Sequence, residues 1–182
     1  MGTVIEPLAT QRMRKASLAS FTEAAFRFVP ISLTMLALRL ALAVPFWRSG
    51  QTKWDGFLNL SFGAKTLFAE EFKLHIFGAE YAYPAPETMA TLSALGETCL
   101  PVLLVLGLGT RYAALGLLFM TAIIQLTVPD GWANFHLPWA AMALAIMTFG
   151  PGKIALDYLL GLDALPAPPR LAEETDASPR SG

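Results

Sequence analysis

The chain has 182 residues, of which 54% are hydrophobic and only 15% are charged. Because soluble globular domains carry about a quarter charged residues, this composition excludes an ordinary soluble domain and predicts an integral membrane protein. A formal net charge of -1 indicates no nucleic-acid surface, and a single cysteine, Cys99, excludes an intramolecular disulfide and a Cys-x-x-Cys redox couple.

The first segment, residues 1–29, precedes the apolar part of the chain. Arg12 and Lys15 are typical of the start of a secretory signal, but Glu23 and Arg27 interrupt what would be its apolar core, so we expect the segment to be retained. Its apolar residues recur at helical spacing, which is typical of a short helix lying on the membrane surface. A partly ordered tail fits the sequence equally well. We assign this segment to the cytoplasm.

Four apolar runs follow, and each is just long enough to cross a bilayer as a helix. A Gly-Leu-Gly turn, a Pro-Asp-Gly turn and a Gly-Pro-Gly stop end the second, third and fourth runs, and such short connections predict antiparallel neighbours. The predicted fold class is therefore all-α, a four-helix transmembrane bundle within residues 30–160. The predicted spans cover residues 31–47, 87–108, 111–128 and 135–149.

The connection between the first two spans, residues 48–85, is too polar to cross a membrane but is rich in aromatic residues. Because aromatic side chains favour the membrane interface, we expect this external loop to lie on the bilayer. A short interfacial helix is predicted at residues 64–76, with Leu67, Phe68 and Phe72 on one side.

Basic residues predict the orientation, because cytoplasmic loops carry an excess of lysine and arginine. With both termini in the cytoplasm, eight basic residues lie inside and four outside, so we expect a multi-pass protein of the bacterial inner membrane. Residues 161–182 are rich in proline and acidic residues and predict a disordered tail. The external basic residues are Arg48, Lys53, Lys65 and Lys73.

Two charged residues interrupt the spans, Arg39 in the first and Glu97 in the second. A charge at mid-bilayer costs about 2.5–3.5 kcal/mol on insertion scales, and both residues lie near the middle of their span, so we expect an ion pair between them. Pro101, four residues after Glu97, predicts a kink that frees a carbonyl beside the carboxylate. A functional cavity and a purely structural ion pair both fit these observations.

Gln125 and His136 add polar groups to the external half of the third and fourth spans. Taken singly, such residues are typical of hydrogen bonds between helices. Together with Arg39 and Glu97 they suit a pocket between helices. The histidines and methionines match no metal-binding pattern, so no metal site is predicted.

Several short motifs occur in a fixed order along the spans. They are Arg39-Leu40, Phe46, Gly50 and Lys53, then Glu97, then Gly107-Leu108-Gly109-Thr110-Arg111, then Gly150-Pro151-Gly152-Lys153. In this order the chain resembles the DoxX family between residues 39 and 157. The resemblance implies a four-helix membrane protein associated with oxidoreductases, some relatives being subunits of thiosulfate-to-quinone oxidation and others being linked to membrane complexes for oxidative stress. It assigns no substrate.

Three functions fit these features. The first is a redox-associated subunit whose interhelical cavity binds a quinone or comparable small molecule through Arg39, Glu97, Gln125 and His136, with Glu97 as the candidate catalytic proton acceptor. The second is an assembly or anchor protein that recruits a redox or secreted partner through the aromatic connection. The third is a transporter of a small molecule or metallophore. Catalysis and homo-oligomerisation stay open.

Overall fold

The structure is a computed structural model that describes residues 30–163, and this part of the chain is mostly helical. The expectations for residues 1–29 and for most of the C-terminal tail lie outside the described residues. Two antiparallel strands form a hairpin, β1 (Lys73–Ile76) and β2 (Ala79–Ala82). The helices are α1 (Ile31–Gln51), α2 (Phe62–Thr66), α3 (Pro86–Leu106), α4 (Thr110–Thr127), α5 (Leu137–Phe149) and α6 (Leu156–Leu159).

Three of these helices, α1, α3 and α4, are long and apolar enough to cross a membrane. At 1.5 Å per residue they measure about 27–32 Å, close to the thickness of the hydrocarbon layer. Helix α5 is shorter, with 13 residues, but a π-helical turn (Trp132–His136) leads directly into it. The first three predicted spans are therefore present as helices of sufficient length.

The four longer helices pack in a closed ring of neighbours, in which α1 and α4 each contact both α3 and α5. The side chains of Leu42, Leu104, Leu117 and Ile146 fill the space between them and are completely buried. Each of the four helices thus contributes one large aliphatic residue to a common core.

Helices α1 and α3 are antiparallel but staggered along their axes. Gly50, in the last turn of α1, lies against the middle of α3, where a Cβ on it would be 2.9 Å from the backbone C and O of Glu97. The first half of α3 therefore extends beyond the end of α1. It packs instead against the connection, where Ala90 and Ala94 contact a cluster that includes Phe68 and Tyr83.

The connection contains a short helix, as predicted, but with different bounds. Helix α2 is continued by a π-helical turn to Glu71, and the next residues form β1. The prediction of an all-α fold is therefore wrong in this segment. Phe77 and Gly78 join the two strands with positive φ values of 50° and 81°, the backbone pattern of a type I′ hairpin turn.

Asp157, the second residue of α6, stabilises the tight turn between α3 and α4. Its two carboxylate oxygens accept hydrogen bonds from the backbone N–H groups of Gly109 and Thr110, both at 2.8 Å. Burial of Asp157 favours the neutral acid, but the hydrogen bonds from Thr110 and Gly109 and the charge of Arg39 outweigh burial. The pKa of this carboxyl consequently lies below its ordinary value.

Candidate binding site

A cavity of about 600 Å³ lies between α1, α3, α4 and α5, beneath the connection. Most of its lining is apolar and several side chains are aromatic, while the few polar groups belong mainly to α1 and α3. This size and this mixture are typical of small-molecule sites. The aromatic lining residues are Phe46, Phe68, Phe72, Tyr83, Phe119 and Trp139, and the polar ones are Ser49, Lys53, Ser93, Glu97 and Thr127.

A charged cluster forms one part of the cavity wall. The Lys53 ammonium donates to one carboxylate oxygen of Glu97 at 2.5 Å and to the Ser49 hydroxyl at 3.0 Å. The Ser93 hydroxyl donates to the other carboxylate oxygen at 3.0 Å. The side chains of Lys53 and Glu97 are only 12% and 4% exposed, so the pair is shielded from solvent.

Local backbone geometry brings this pair together. Gly50 allows the end of α1 to approach α3 closely, and Lys53 follows one turn later, with its N–H donating to the Gly50 carbonyl at 3.0 Å. The adjacent Trp54 indole donates to the Thr98 hydroxyl at 3.0 Å, which fixes the chain against α3 just beyond α1. The lysine is thereby directed towards Glu97.

The predicted ion pair between Arg39 and Glu97 is wrong. Arg39 is completely buried, but its guanidinium donates to the Ile154 carbonyl and approaches the carbonyls of Leu104 and Val105 at 3.4 and 3.5 Å. Residues 97 and 104 are separated by about 10 Å of helix rise. The stagger of α1 against α3 therefore places Arg39 at the C-terminal end of α3, where free carbonyls carry partial negative charge.

Gln125 and His136 are in direct contact with each other. The Nδ1 of His136 is 2.6 Å from Oε1 of Gln125, whose amide nitrogen donates to the Pro129 carbonyl at 3.1 Å. His136 also packs on Trp139, with 5.5 Å between ring centroids. Trp139 lines the cavity, but Gln125 and His136 do not. Arg39 is absent from the lining as well, so Glu97 alone of the four predicted binding residues forms part of the wall.

Phe68 and Phe72, predicted on one side of an interfacial helix, line this cavity instead. Phe68 is only 6% exposed and packs against Phe72 and Tyr83, with ring centroids 5.2 and 5.3 Å apart. The Tyr83 hydroxyl is 2.5 Å from that of Thr127. These contacts cover the end of the cavity formed by the connection.

Lys53 and Ser93 are the functional candidates that the sequence reasoning missed. Hydropathy assigned Lys53 to the polar connection, where a lysine is expected to face water. The spacing of Gly50 and Lys53 nevertheless indicated this position. Residues three apart lie on one helical face, so a close helix contact at the glycine brings the lysine near the same partner helix. Ser93, four residues before Glu97, also shares its face of α3.

Comparison with known proteins agrees with this architecture. The DoxX family model matches residues 34–130, more than half of the chain, and this range contains the whole charged cluster. A Haemophilus influenzae protein, described as an uncharacterized protein, is 27% identical over 142 residues, covering 70% of this chain and 83% of the relative. No solved structure matches the chain significantly. The chain belongs to the DoxX family of membrane proteins.

Proposed function

We propose that this protein is a redox-associated membrane subunit that binds a quinone or comparable small molecule in the interhelical cavity. The observation that carries the proposal is an apolar, aromatic-lined cavity with one charged cluster in its wall. A quinone ring has two apolar faces and two carbonyl oxygens that accept hydrogen bonds. It therefore matches both parts of the lining.

The charged cluster supplies the groups that quinone chemistry requires. Lys53 and the hydroxyl of Ser49 or Ser93 donate hydrogen bonds to a ring oxygen. Reduction of a quinone to a quinol takes up two electrons and two protons. Both protons come from water, and Glu97 accepts each of them in turn and passes it to a ring oxygen. The electrons come from a partner subunit. Lys53 takes the role that the sequence gave to Arg39, since Arg39 lies outside the lining.

Gln125 and His136, the other predicted binding residues in the external half of the bundle, do not contact the ligand in this proposal. Gln125 and His136 are hydrogen-bonded to each other, and His136 packs on Trp139. They therefore hold the Trp139 ring against the cavity and orient the aromatic wall. Neither needs to touch the ligand.

The proposal includes four membrane spans with both termini in the cytoplasm of a bacterial inner membrane. The helical backbone from residue 132 to residue 149 adds up to about 27 Å at 1.5 Å per residue, enough for a fourth crossing. Arg111 and Lys153 lie at the end of the bundle assigned to the cytoplasm. The opposite turn, Pro129–Gly131, carries Asp130 and no basic residue.

The test is quinone binding by the full chain purified in mild detergent. We expect mass spectrometry to detect a copurified quinone, and we expect Lys53→Met to weaken binding of a quinone with two isoprene units by about tenfold, because a charged hydrogen-bond donor is lost. Glu97→Gln should also weaken binding, because the neutral amide no longer pairs with the Lys53 ammonium. Glu87→Gln is the matched control, since Glu87 is an exposed residue of the same helix.

Two results would contradict the proposal. One is purified protein without quinone, and the other is unchanged affinity in both cluster variants. The anchor alternative uses the aromatic connection as its recruiting surface. Phe68 and Phe72 line the cavity instead, whereas Phe57, Phe62 and Phe77 of the connection are exposed. No specific observation in the described residues supports the transporter alternative.

A further inference from the structure

Helices α3 and α4 meet beside the cavity through two reciprocal glycine contacts. A Cβ on Gly96 of α3 would be 2.8 Å from the sulfur of Met120, and a Cβ on Gly116 of α4 would be 2.8 Å from Cδ1 of Leu100. Each glycine thus accepts a flexible side chain from the opposite helix, and all four residues line the cavity. The atoms nearest to each added Cβ all belong to the side chains of Leu100 and Met120.

The cavity reaches the outer surface of the protein on this side. Leu92 of α3 and Phe119 of α4 both line it, yet they are 57% and 66% exposed. Because α3 and α4 are both long and apolar enough to cross a membrane, we expect the surface between them to face lipid. On the opposite side, Phe46 of α1 is 2% exposed and closes the wall. The cavity therefore opens sideways into the bilayer.

The end of the cavity towards the connection is covered. Phe68, Phe72 and Tyr83 pack ring against ring there, and Tyr83 is hydrogen-bonded to Thr127. A ligand chain directed towards this end would have to displace three aromatic side chains. The α3–α4 side offers less resistance, since only the ends of Leu100 and Met120 stand in the way.

The volume limits how much of a ligand the cavity can hold. At about 30 Å³ for each water-sized group, 600 Å³ holds about 20 non-hydrogen atoms. This is enough for a quinone ring with its oxygens and roughly two isoprene units. Any longer chain has to leave the cavity.

We infer that the ligand is a quinone with a long apolar chain, whose ring lies at the Lys53–Glu97 cluster and whose chain leaves between α3 and α4 at Gly96 and Gly116. The inference rests on the proposed function and specifies its substrate class and route. The ring enters sideways from the lipid, past the Leu100 and Met120 side chains. The molecule never has to cross water.

The first experiment maps the chain by photocrosslinking. A long-chain quinone with a diazirine on its third isoprene unit is added to the full chain in lipid nanodiscs, and labelled residues are identified by mass spectrometry. We expect labels at Leu92, Phe119 and neighbouring lipid-facing residues. Labels concentrated at Phe68 or Tyr83 would overturn the inference, because the chain would then leave through the connection.

The second experiment narrows the exit with Gly116→Leu and compares quinones with two and with about eight isoprene units. We expect the affinity for the long-chain quinone to fall at least about tenfold. The affinity for the short one should fall clearly less, by the small amount that follows from the cavity volume taken up by the added side chain, because Gly116 also lines the cavity. The variant Gly116→Leu combined with Leu100→Ala should restore long-chain binding. Ala141→Leu, at an exposed position of α5 outside the cavity, should have no effect.

The outcomes separate the two proposals. If Gly116→Leu weakens both quinones equally, or neither, the exit route is wrong while quinone binding stands. If the unaltered protein binds neither quinone, the proposed function itself is overturned. Failure of the double variant to recover long-chain binding would also contradict the route, because the smaller side chain in Leu100→Ala should make space for the chain again.

Discussion

At the scale of single residues, the buried pair of Lys53 and Glu97 is the strongest electrostatic feature of the cavity. Each charge is shielded from solvent and is neutralised mainly by the other. Removing one partner of a buried ion pair leaves the other charge uncompensated, which commonly costs 3–5 kcal/mol, whereas replacing both with apolar residues costs much less. The cavity therefore depends on the pair as a unit.

A double-mutant cycle tests this dependence. We expect Lys53→Met and Glu97→Leu each to lower the free energy of unfolding by about 3 kcal/mol, and the double variant to be more stable than either. Unfolding in mixed detergent micelles, followed by circular dichroism, gives the measurement. Strictly additive losses would mean that the two charges are stabilised independently. The Lys65 and Glu87 pair, which is largely exposed, serves as control and should show little coupling.

The partners of the charged residues could not be predicted from the sequence. Hydropathy places Arg39 and Glu97 within apolar runs of similar length, and aligned helix ends would bring them to one depth. The offset between α1 and α3 depends instead on tertiary packing, above all on the contact of Gly50 with the Glu97 backbone. A single turn of axial displacement is enough to change which charges meet.

At the scale of secondary-structure elements, the contact between α1 and α3 depends on Gly50. We expect Gly50→Ala to destabilise the protein by about 1–3 kcal/mol, because the added methyl group would lie 2.9 Å from backbone atoms that cannot rotate away. Gly63→Ala is the matched control, since Gly63 lies in α2 with no atom within 4 Å of an added Cβ. It should be neutral or slightly stabilising. Equal effects in thermal unfolding would contradict the close approach.

The turn between α3 and α4 gives a prediction of pH dependence. Because the pKa of Asp157 is lowered in the folded protein, its stabilisation is complete above the ordinary aspartate pKa of about 3.9 and is lost as the pH falls through the lowered value. We expect Asp157→Asn to reduce stability at neutral pH by about 1 kcal/mol and to flatten the loss of stability in acid.

Thermal unfolding between pH 2 and pH 7 measures this dependence. Asp130→Asn is the control, since Asp130 is exposed in the turn after α4. An unchanged acid profile in Asp157→Asn would show that other carboxyl groups control the acid sensitivity.

The sequence predicted the long helices and the turns between them better than it predicted the connection. Continuous apolar runs and glycine-proline breaks are local signals, so α1, α3 and α4 appear where expected. In the connection, the spacing of Leu67, Phe68 and Phe72 correctly indicated a helical turn. The following residues 73–76 were assigned to the same helix, although Phe77 and Gly78 mark a hairpin turn.

At the scale of the whole molecule, the proposed orientation can be tested by cysteine labelling. In a Cys99→Ser background, we expect Asp130→Cys to react with a membrane-impermeant maleimide in intact spheroplasts, because the turn after α4 is assigned to the outside. Lys153→Cys should react only after permeabilisation. The reverse pattern would invert the topology without altering the helix packing.

The burial of Arg39 also has a consequence for how the protein is made. Its acceptor Ile154 lies 115 residues further along the chain, beyond the last long helix. At about 5–20 residues per second, roughly 6–23 s of synthesis separate the two residues. During that time the guanidinium in α1 lacks this hydrogen-bond acceptor, and a buried charge without its partners is unfavourable. The Arg39 side chain thus gains its full set of carbonyl acceptors only after residue 154 has been synthesised.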